Sequence, residues 1–99
     1  MNEPQGNKAR VHIRVTGLVQ GVGFRAHVEY FARQAQVTGW VRNVGFDMVE
    51  TVAEGERERL ELFVEAVKQG PRGSHVDESH VTWEEPSGEF SDFSVRRSL

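Results

Sequence analysis

The chain has 99 residues, of which 37% are hydrophobic and 27% charged, with a formal net charge of −3; these values are typical of one soluble globular domain. No apolar stretch is long enough to span a bilayer, and the polar opening residues lack the apolar core of a secretory signal. The absence of cysteine excludes disulfides, thiolate metal sites and cysteine nucleophiles, so we expect a cytoplasmic protein.

Charge is distributed unevenly along the chain. Residues 1–43 carry six basic and two acidic side chains, whereas residues 44–99 carry six basic and thirteen acidic ones. The negative net charge of the whole chain argues against non-specific nucleic-acid binding. The basic first half is compatible with binding of a small anion. The alternative is that these basic side chains are ordinary solvated surface charges that bind no ligand.

The first half of the chain predicts a strand, a glycine-rich loop and a helix. Residues 11–15 alternate apolar and polar side chains, which is typical of a half-buried strand. Three glycines follow within residues 17–23, and from Phe24 to Ala35 the apolar residues fall at helical spacing. The predicted helix therefore begins directly after the loop.

The second half predicts a hairpin, a second helix and two further strands. Two strands joined by the turn 45–47 form the hairpin. An apolar stripe at helical spacing follows, with acidic residues before it and Gly70 after it, as expected for a helix. The two hairpin strands are predicted at residues 38–44 and 48–54, and the helical stripe at 60–67. The final two strands are predicted at residues 76–85 and 93–96.

This order of elements is β-α-β-β-α-β with an additional terminal strand. Two helices that cover one face of a mainly antiparallel sheet form the ferredoxin-like, split β-α-β sandwich. We therefore expect an α+β domain of this kind over residues 10–97, preceded by a flexible N-terminal segment over 1–9. The acidic residues from Glu54 to Glu65 are expected on solvated faces.

The glycine-rich loop and the first turn of the helix after it predict an anion site. Successive backbone N–H groups of such a loop form a concave nest, and the helix N-terminus adds partial positive charge. Arg25 supplies a planar guanidinium that matches two phosphate oxygens. The segment matches neither the Walker A motif nor the dinucleotide fingerprint. A small phosphorylated ligand therefore fits best, and a plain structural turn is the alternative.

Asn43, at the end of a predicted strand, is a second polar candidate. Its carboxamide can donate and accept hydrogen bonds together, which suits the positioning of a water molecule. The alternative is that Asn43 shapes the hairpin turn. The four histidines lack metal-ligand spacing, and no nucleophile or acid–base pair is evident. Any catalysis would then depend on positioning and electrostatics.

Two segments resemble signature motifs of the acylphosphatase family. Residues 17–25 read G-L-V-Q-G-V-G-F-R, similar to the family's G-x-V-Q-G-V-x-F-R. Residues 39–43 read G-W-V-R-N and are followed by Val49-Glu50, similar to the family's G-W-V-x-N with a following V-E. The resemblance extends from about Val11 to Val95. The family's fold is the ferredoxin-like sandwich that the element order also predicts.

The resemblance implies hydrolysis of acyl phosphates to a carboxylate and inorganic phosphate, with no metal, no other cofactor and no phosphoenzyme. In the family the motif arginine binds the phosphate and the motif asparagine orients the attacking water, roles that fall here on Arg25 and Asn43. The backbone amides of the phosphate cradle would belong to Val19, Gln20, Gly21, Val22 and Gly23. The implied protein is a monomer that acts on small molecules, without nucleic-acid or membrane partners.

The alternative reading is a binding module of the same fold. Acylphosphatase-like domains also occur inside larger proteins, such as the carbamoyltransferases of hydrogenase maturation. There the phosphate cradle serves carbamoyl phosphate. A non-catalytic module that binds acyl or carbamoyl phosphate is thus the second hypothesis, and a purely structural interaction domain is the third.

The hairpin after Asn43 departs from the family pattern. Relatives commonly have glycine where this chain has Asp47, and here a glycine, Gly45, stands two residues earlier. One expectation is a left-handed conformation at Asp47, which aspartate tolerates better than most residues. Phe46 at the tip of the turn is expected either to be exposed or to cover the pocket.

Overall fold

A computed structural model describes residues 7–99 and shows two helices packed on one face of a five-stranded sheet. The elements in chain order are β1 (Lys8–Leu18), α1 (Phe24–Ala35), β2 (Thr38–Val44), β3 (Met48–Glu56), α2 (Arg57–Gln69), β4 (His75–Glu84) and β5 (Phe93–Val95). No helix among these residues is long and apolar enough to cross a membrane.

The strands are arranged in the order β4-β1-β3-β2-β5. β1 pairs antiparallel with both β3 and β4, and β2 pairs antiparallel with β3. Only β5 runs parallel to its neighbour, β2. The sheet is thus mainly antiparallel with both helices on one face, and the predicted ferredoxin-like sandwich is confirmed.

The first strand begins earlier than its alternation predicted. Lys8 and Ala9 pair with Glu56 and Gly55 at the far end of β3, and Ala9 is buried. Ala9 is in phase with Val11, Ile13 and Val15, but its small side chain is a weaker strand signal than the β-branched residues that follow it. Of the predicted flexible segment 1–9, residues 1–6 lie outside the described residues, and Lys8 and Ala9 belong to β1.

The hydrophobic core lies between the sheet and the two helices. Alternate residues of β1 face inward and are fully buried: Val11, Ile13 and Val15. Each helix buries one stripe at intervals of three and four residues, as its spacing predicted. The buried helical residues are Phe24, Val28 and Ala32 of α1 and Leu60, Phe63, Val64 and Val67 of α2.

Glu54 of β3 is buried, with 6% of its surface exposed, so the expectation of a solvated face is wrong at this position. Its carboxylate accepts hydrogen bonds from the amides of Ser87 and Gly88 at 2.8 and 2.9 Å. Arg10 also donates to it at 2.9 Å. Burial raises the pKa of Glu54, but these hydrogen bonds together outweigh burial and bring the pKa below its ordinary value of 4.5.

Candidate active site

The loop between β1 and α1 presents backbone amides at the N-terminus of a helix. Gly21 and Gly23 have positive φ values of 77° and 79°, which glycine adopts without the cost that a Cβ would add. Gly23 is the N-cap of α1, and no side chain of residues 7–99 caps the helix. Within residues 7–99, the amides of residues 19–23 donate to no protein acceptor. These N–H groups are therefore available to an anion.

Arg25 lies in the first turn of α1, directly after this loop. Its partly buried guanidinium forms no hydrogen bond or ion pair with any residue in the described range. Five other arginines, by contrast, each form an ion pair with a glutamate: Arg10, Arg33, Arg42, Arg57 and Arg59. Arg25 is thus a cation at a helix N-terminus that no side chain in the described part of the chain neutralises.

Asn43 lies near the end of β2, where it pairs with Val49 of β3. Its backbone carbonyl accepts a hydrogen bond of 2.9 Å from the amide of Leu99, which fixes the strand at this point. Its side chain is partly buried and, within the part of the chain that is described, makes no hydrogen bond. The carboxamide therefore keeps both its donor and its acceptor for a ligand or a water molecule.

One open cleft of about 360 Å³ brings these groups together. It is lined by Val19, Gln20, Gly21, Gly23, Phe24, Arg25, Ala26, Glu29, Asn43 and Val95. Of the residues predicted for the site, only Val22 is not among the lining residues, since its side chain packs against the core. The structure thus places a guanidinium, a carboxamide and a row of unpaired amides around one space of small-molecule size.

The Gln20 side chain joins the loop to the hairpin that carries Asn43. Its Nε2 donates to three carbonyl oxygens of the β2–β3 connection, at Val44 (3.3 Å), Gly45 (3.2 Å) and Met48 (2.9 Å). From the sequence, only the backbone amide of Gln20 is expected to serve the site. The sequence carried no signal for these contacts, because they form across separate segments of the chain.

The hairpin turn itself differs from the expectation. The positive φ lies at Gly45 (61°), and Gln36 is the only non-glycine residue in the described range with a positive φ. The predicted left-handed conformation of Asp47 is therefore wrong, because Gly45 provides that conformation two positions earlier. Phe46 is 86% exposed and is not among the residues that line the cleft.

The titratable side chains of the cleft are Arg25 and Glu29. Glu29 forms an ion pair with Arg33 one helical turn further on, at 2.9 Å. Within residues 7–99, no three His, Cys, Asp or Glu side chains are grouped so that they could hold a metal ion. The arrangement is suited to binding a phosphoryl group and ordering a water molecule, rather than to transferring protons through a paired acid and base.

Comparison with known proteins gives consistent matches over nearly the whole chain. A family model described as Acylphosphatase matches residues 11–95. A protein of Salinibacter ruber named Acylphosphatase is 46% identical over 92 residues, which cover 93% of this chain and 97% of that protein. The crystal structure of an acylphosphatase from Bacillus subtilis has a TM-score of 0.85 and 40% identity, covering 89% of this chain and 98% of the other.

A larger protein also contains a similar domain. The crystal structure of full-length HypF in the phosphate- and nucleotide-bound form matches with a TM-score of 0.82 and 31% identity. The match covers 92% of this chain but 12% of that one. The same fold is therefore present both in proteins of about this length and as a small part of a longer chain.

Proposed function

Because this chain belongs to the acylphosphatase family, we propose that it hydrolyses the carboxyl–phosphate bond of acyl phosphates. The products are a carboxylate and inorganic phosphate. The observation that supports this best is the position of Arg25 and Asn43 in one cleft, each with a side chain that has no hydrogen-bond partner within residues 7–99. We propose further that the protein acts as a cytoplasmic monomer on small acyl phosphates, without nucleic-acid or membrane partners.

Arg25 and the loop amides bind the phosphoryl group in this proposal. The guanidinium contacts two phosphate oxygens, and the amides of residues 19–23 surround the others. The apolar side chains of Val19, Phe24 and Val95 in the lining lower the local dielectric, which strengthens the attraction between Arg25 and the phosphate. These donors are held in place before the substrate arrives, so they stabilise the charge of the transition state without reorganisation.

Asn43 orients the attacking water through its carboxamide. The water oxygen attacks phosphorus, and the bond between phosphorus and the carboxyl oxygen breaks. The carboxylate leaves with the bonding electron pair, and a proton of the water passes to a phosphate oxygen. Since a carboxylate is a good leaving group, the step needs no strong general acid. This agrees with a cleft in which Glu29 supplies the one carboxylate among residues 7–99, since that carboxylate is paired with Arg33.

Hydrolysis of benzoyl phosphate in excess EDTA tests the proposal, with Arg25→Ala and Arg14→Ala beside the wild-type protein. Arg14 is exposed on β1 and lies outside the cleft, so Arg14→Ala controls for the loss of one positive charge. We expect metal-independent turnover in the wild type and in Arg14→Ala, and a loss of at least about 10²–10³-fold in Arg25→Ala. Wild-type turnover by Arg25→Ala would refute the role of Arg25, and loss of activity in EDTA would refute metal independence.

The second candidate is a non-catalytic module that binds acyl or carbamoyl phosphate, and the similarity to part of HypF is the observation that favours it. A ligand that binds only the folded state raises its Tm. A protein whose Tm rises with phosphate, but which releases no phosphate from benzoyl phosphate, would therefore be assigned to this second function. Turnover excludes it.

A further inference from the structure

Arg25, Glu29 and Arg33 occupy successive turns of α1, four residues apart. We infer that Arg33 is a positioning residue, which holds the Glu29 carboxylate away from Arg25 and so keeps the Arg25 guanidinium available for the phosphate. This inference rests on the proposed function, and it assigns a role to a residue that is not part of the cleft lining.

Glu29 has a possible cationic partner on each side. Residues four apart on a helix are neighbours, so the carboxylate can reach either arginine. Both Arg25 and Glu29 line the cleft. In the structure, Glu29 Oε2 lies 2.9 Å from Arg33 Nη2, whereas Arg25 has no ion pair within residues 7–99. The carboxylate therefore engages the arginine that is outside the cleft.

The order of the charges along α1 and the helix dipole both favour the ion pair between Glu29 and Arg33. An acidic residue four positions before a basic one stabilises a helix more than the reverse order does, and the order Glu29–Arg33 is the favourable one. Arg33 lies in the last turn of α1, where the helix dipole favours a cation. Its Nη2 also donates to the carbonyl of Phe93 at 3.3 Å. This bond holds the guanidinium between α1 and β5, on the side of Glu29 that is remote from the loop.

Without Arg33, the remaining cation within one turn of Glu29 on α1 is Arg25. An ion pair between them would compete with the phosphate for the same guanidinium. This competition should raise the KM for benzoyl phosphate and the Ki of inorganic phosphate. Because exposed ion pairs on helices are weak, we expect the increase to be only about two- to fivefold. The kcat should change little, because a saturating substrate displaces the carboxylate.

The experiment compares Arg33→Ala, Glu29→Gln, the double variant Glu29→Gln/Arg33→Ala and a control, Lys68→Ala, at low ionic strength. Lys68→Ala removes an exposed ion pair with Glu65 on α2 (4.0 Å), away from the cleft. We expect Arg33→Ala to raise KM and Ki, and the double variant to show the same KM and Ki as Glu29→Gln alone, which has the same neutral side chain in the cleft. The double variant still lacks the hydrogen bond to Phe93, so its agreement with Glu29→Gln separates charge competition from a purely structural effect. The increase in Arg33→Ala should also shrink in about 1 M NaCl, where exposed ion pairs are screened.

Two results would overturn the inference. One is an unchanged Ki in Arg33→Ala. The other is a KM or Ki that is higher in the double variant than in Glu29→Gln, since this would assign the effect to the lost contact with β5. Failure of the proposed function is visible separately, as absence of turnover in the wild type. In that case the Kd of inorganic phosphate, measured for the same variants, replaces Ki and decides the inference in the same way.

Discussion

At the scale of single residues, Arg25 differs from Arg10 and Arg42 because its guanidinium, within residues 7–99, has no ion-pair partner. Its place after the glycine-rich loop predicted an anion-binding role from the sequence. Its lack of an ion pair could not be predicted in this way, because the glutamates that neutralise Arg10 and Arg42 lie in other strands. The same holds for Asn43, whose backbone is held by β3 and by the amide of Leu99 and whose carboxamide, within residues 7–99, makes no hydrogen bond.

Asn43→Ala tests the proposed ordering of the attacking water. We expect kcat to fall by about 10²-fold while KM changes much less, because orientation of the water matters mainly in the transition state. Steady-state kinetics with benzoyl phosphate measure both constants. Gln69→Ala, which removes an exposed carboxamide at the end of α2, is the matched control. An effect confined to KM would instead make Asn43 a binding residue.

At the scale of elements, the cleft depends on contacts between the loop and the hairpin. Gln20→Ala removes three side-chain hydrogen bonds to the β2–β3 turn but keeps the backbone amide in the loop. We expect kcat to fall about tenfold or more, since a small displacement of a positioned group is costly to catalysis. Gln34→Ala, at an exposed position on α1, should leave kcat unchanged. Equal kcat values for both variants would contradict a positioning role for the Gln20 side chain.

Position 39 in β2 requires glycine, both because of its backbone conformation and because neighbouring atoms leave no room for a side chain. Its φ is +143°, and an added Cβ would lie 1.9 Å from the carbonyl oxygen of Val52. Gly39→Ala should therefore lower the free energy of unfolding by about 3 kcal/mol or more. Gly73→Ala is the control, because Gly73 also has a positive φ but no atom within 4 Å of the added Cβ; backbone strain alone costs about 1–2 kcal/mol. Urea unfolding of both variants measures the difference, and equal losses would contradict the steric account.

The two helices are the elements that the sequence predicts best, because the spacing of their apolar residues determines which face is buried. Most residues of the α1 and α2 stripes are buried as predicted, because a helix of apolar period 3.6 has one face for the core. Phe31 of α1 is an exception, with 36% of its surface exposed. The burial of Glu54 could not be predicted from local sequence, because it depends on Ser87 and Gly88, which are distant in the chain. The conformation of the turn at Gly45 could not be predicted for a similar reason, since the Gln20 side chain and Leu99 hold it in place.

At the scale of the whole molecule, two carboxylates of β3 couple stability to pH. Glu50 accepts hydrogen bonds from His12 and Arg42 at 2.6 and 2.9 Å. Burial raises the pKa of Glu50, but these bonds together lower it below 4.5; the pKa of Glu54 is lowered as well. A carboxylate whose pKa is lowered in the folded state stabilises the fold at pH values above its ordinary pKa of 4.5. That contribution is lost as the pH falls through the folded-state pKa.

Glu54→Gln should lower the free energy of unfolding at pH 7 by about 1–3 kcal/mol, because Arg10 and two amides lose a charged acceptor. The difference from the wild type should close as the pH falls well below 4.5, since the wild-type carboxylate is then protonated too. Urea unfolding at pH 7 and pH 3 measures both values. Glu85→Gln, at an exposed position after β4, is the control. A gap that stays constant with pH would refute the role of the Glu54 charge.

The position of β1 between β3 and β4 also has a consequence for how the chain folds. Ile13 lies opposite Thr51 in one neighbour and Val81 in the other, so neither ladder can form from local segments. Non-local strand pairing slows folding, because loop closure costs entropy before the contacts form. During synthesis, the apolar residues of β1 are therefore made long before β4 can cover their edge. Refolding should accordingly be slower than that of a helical bundle of similar size, and the unpaired β1 is exposed to aggregation until β4 covers its edge.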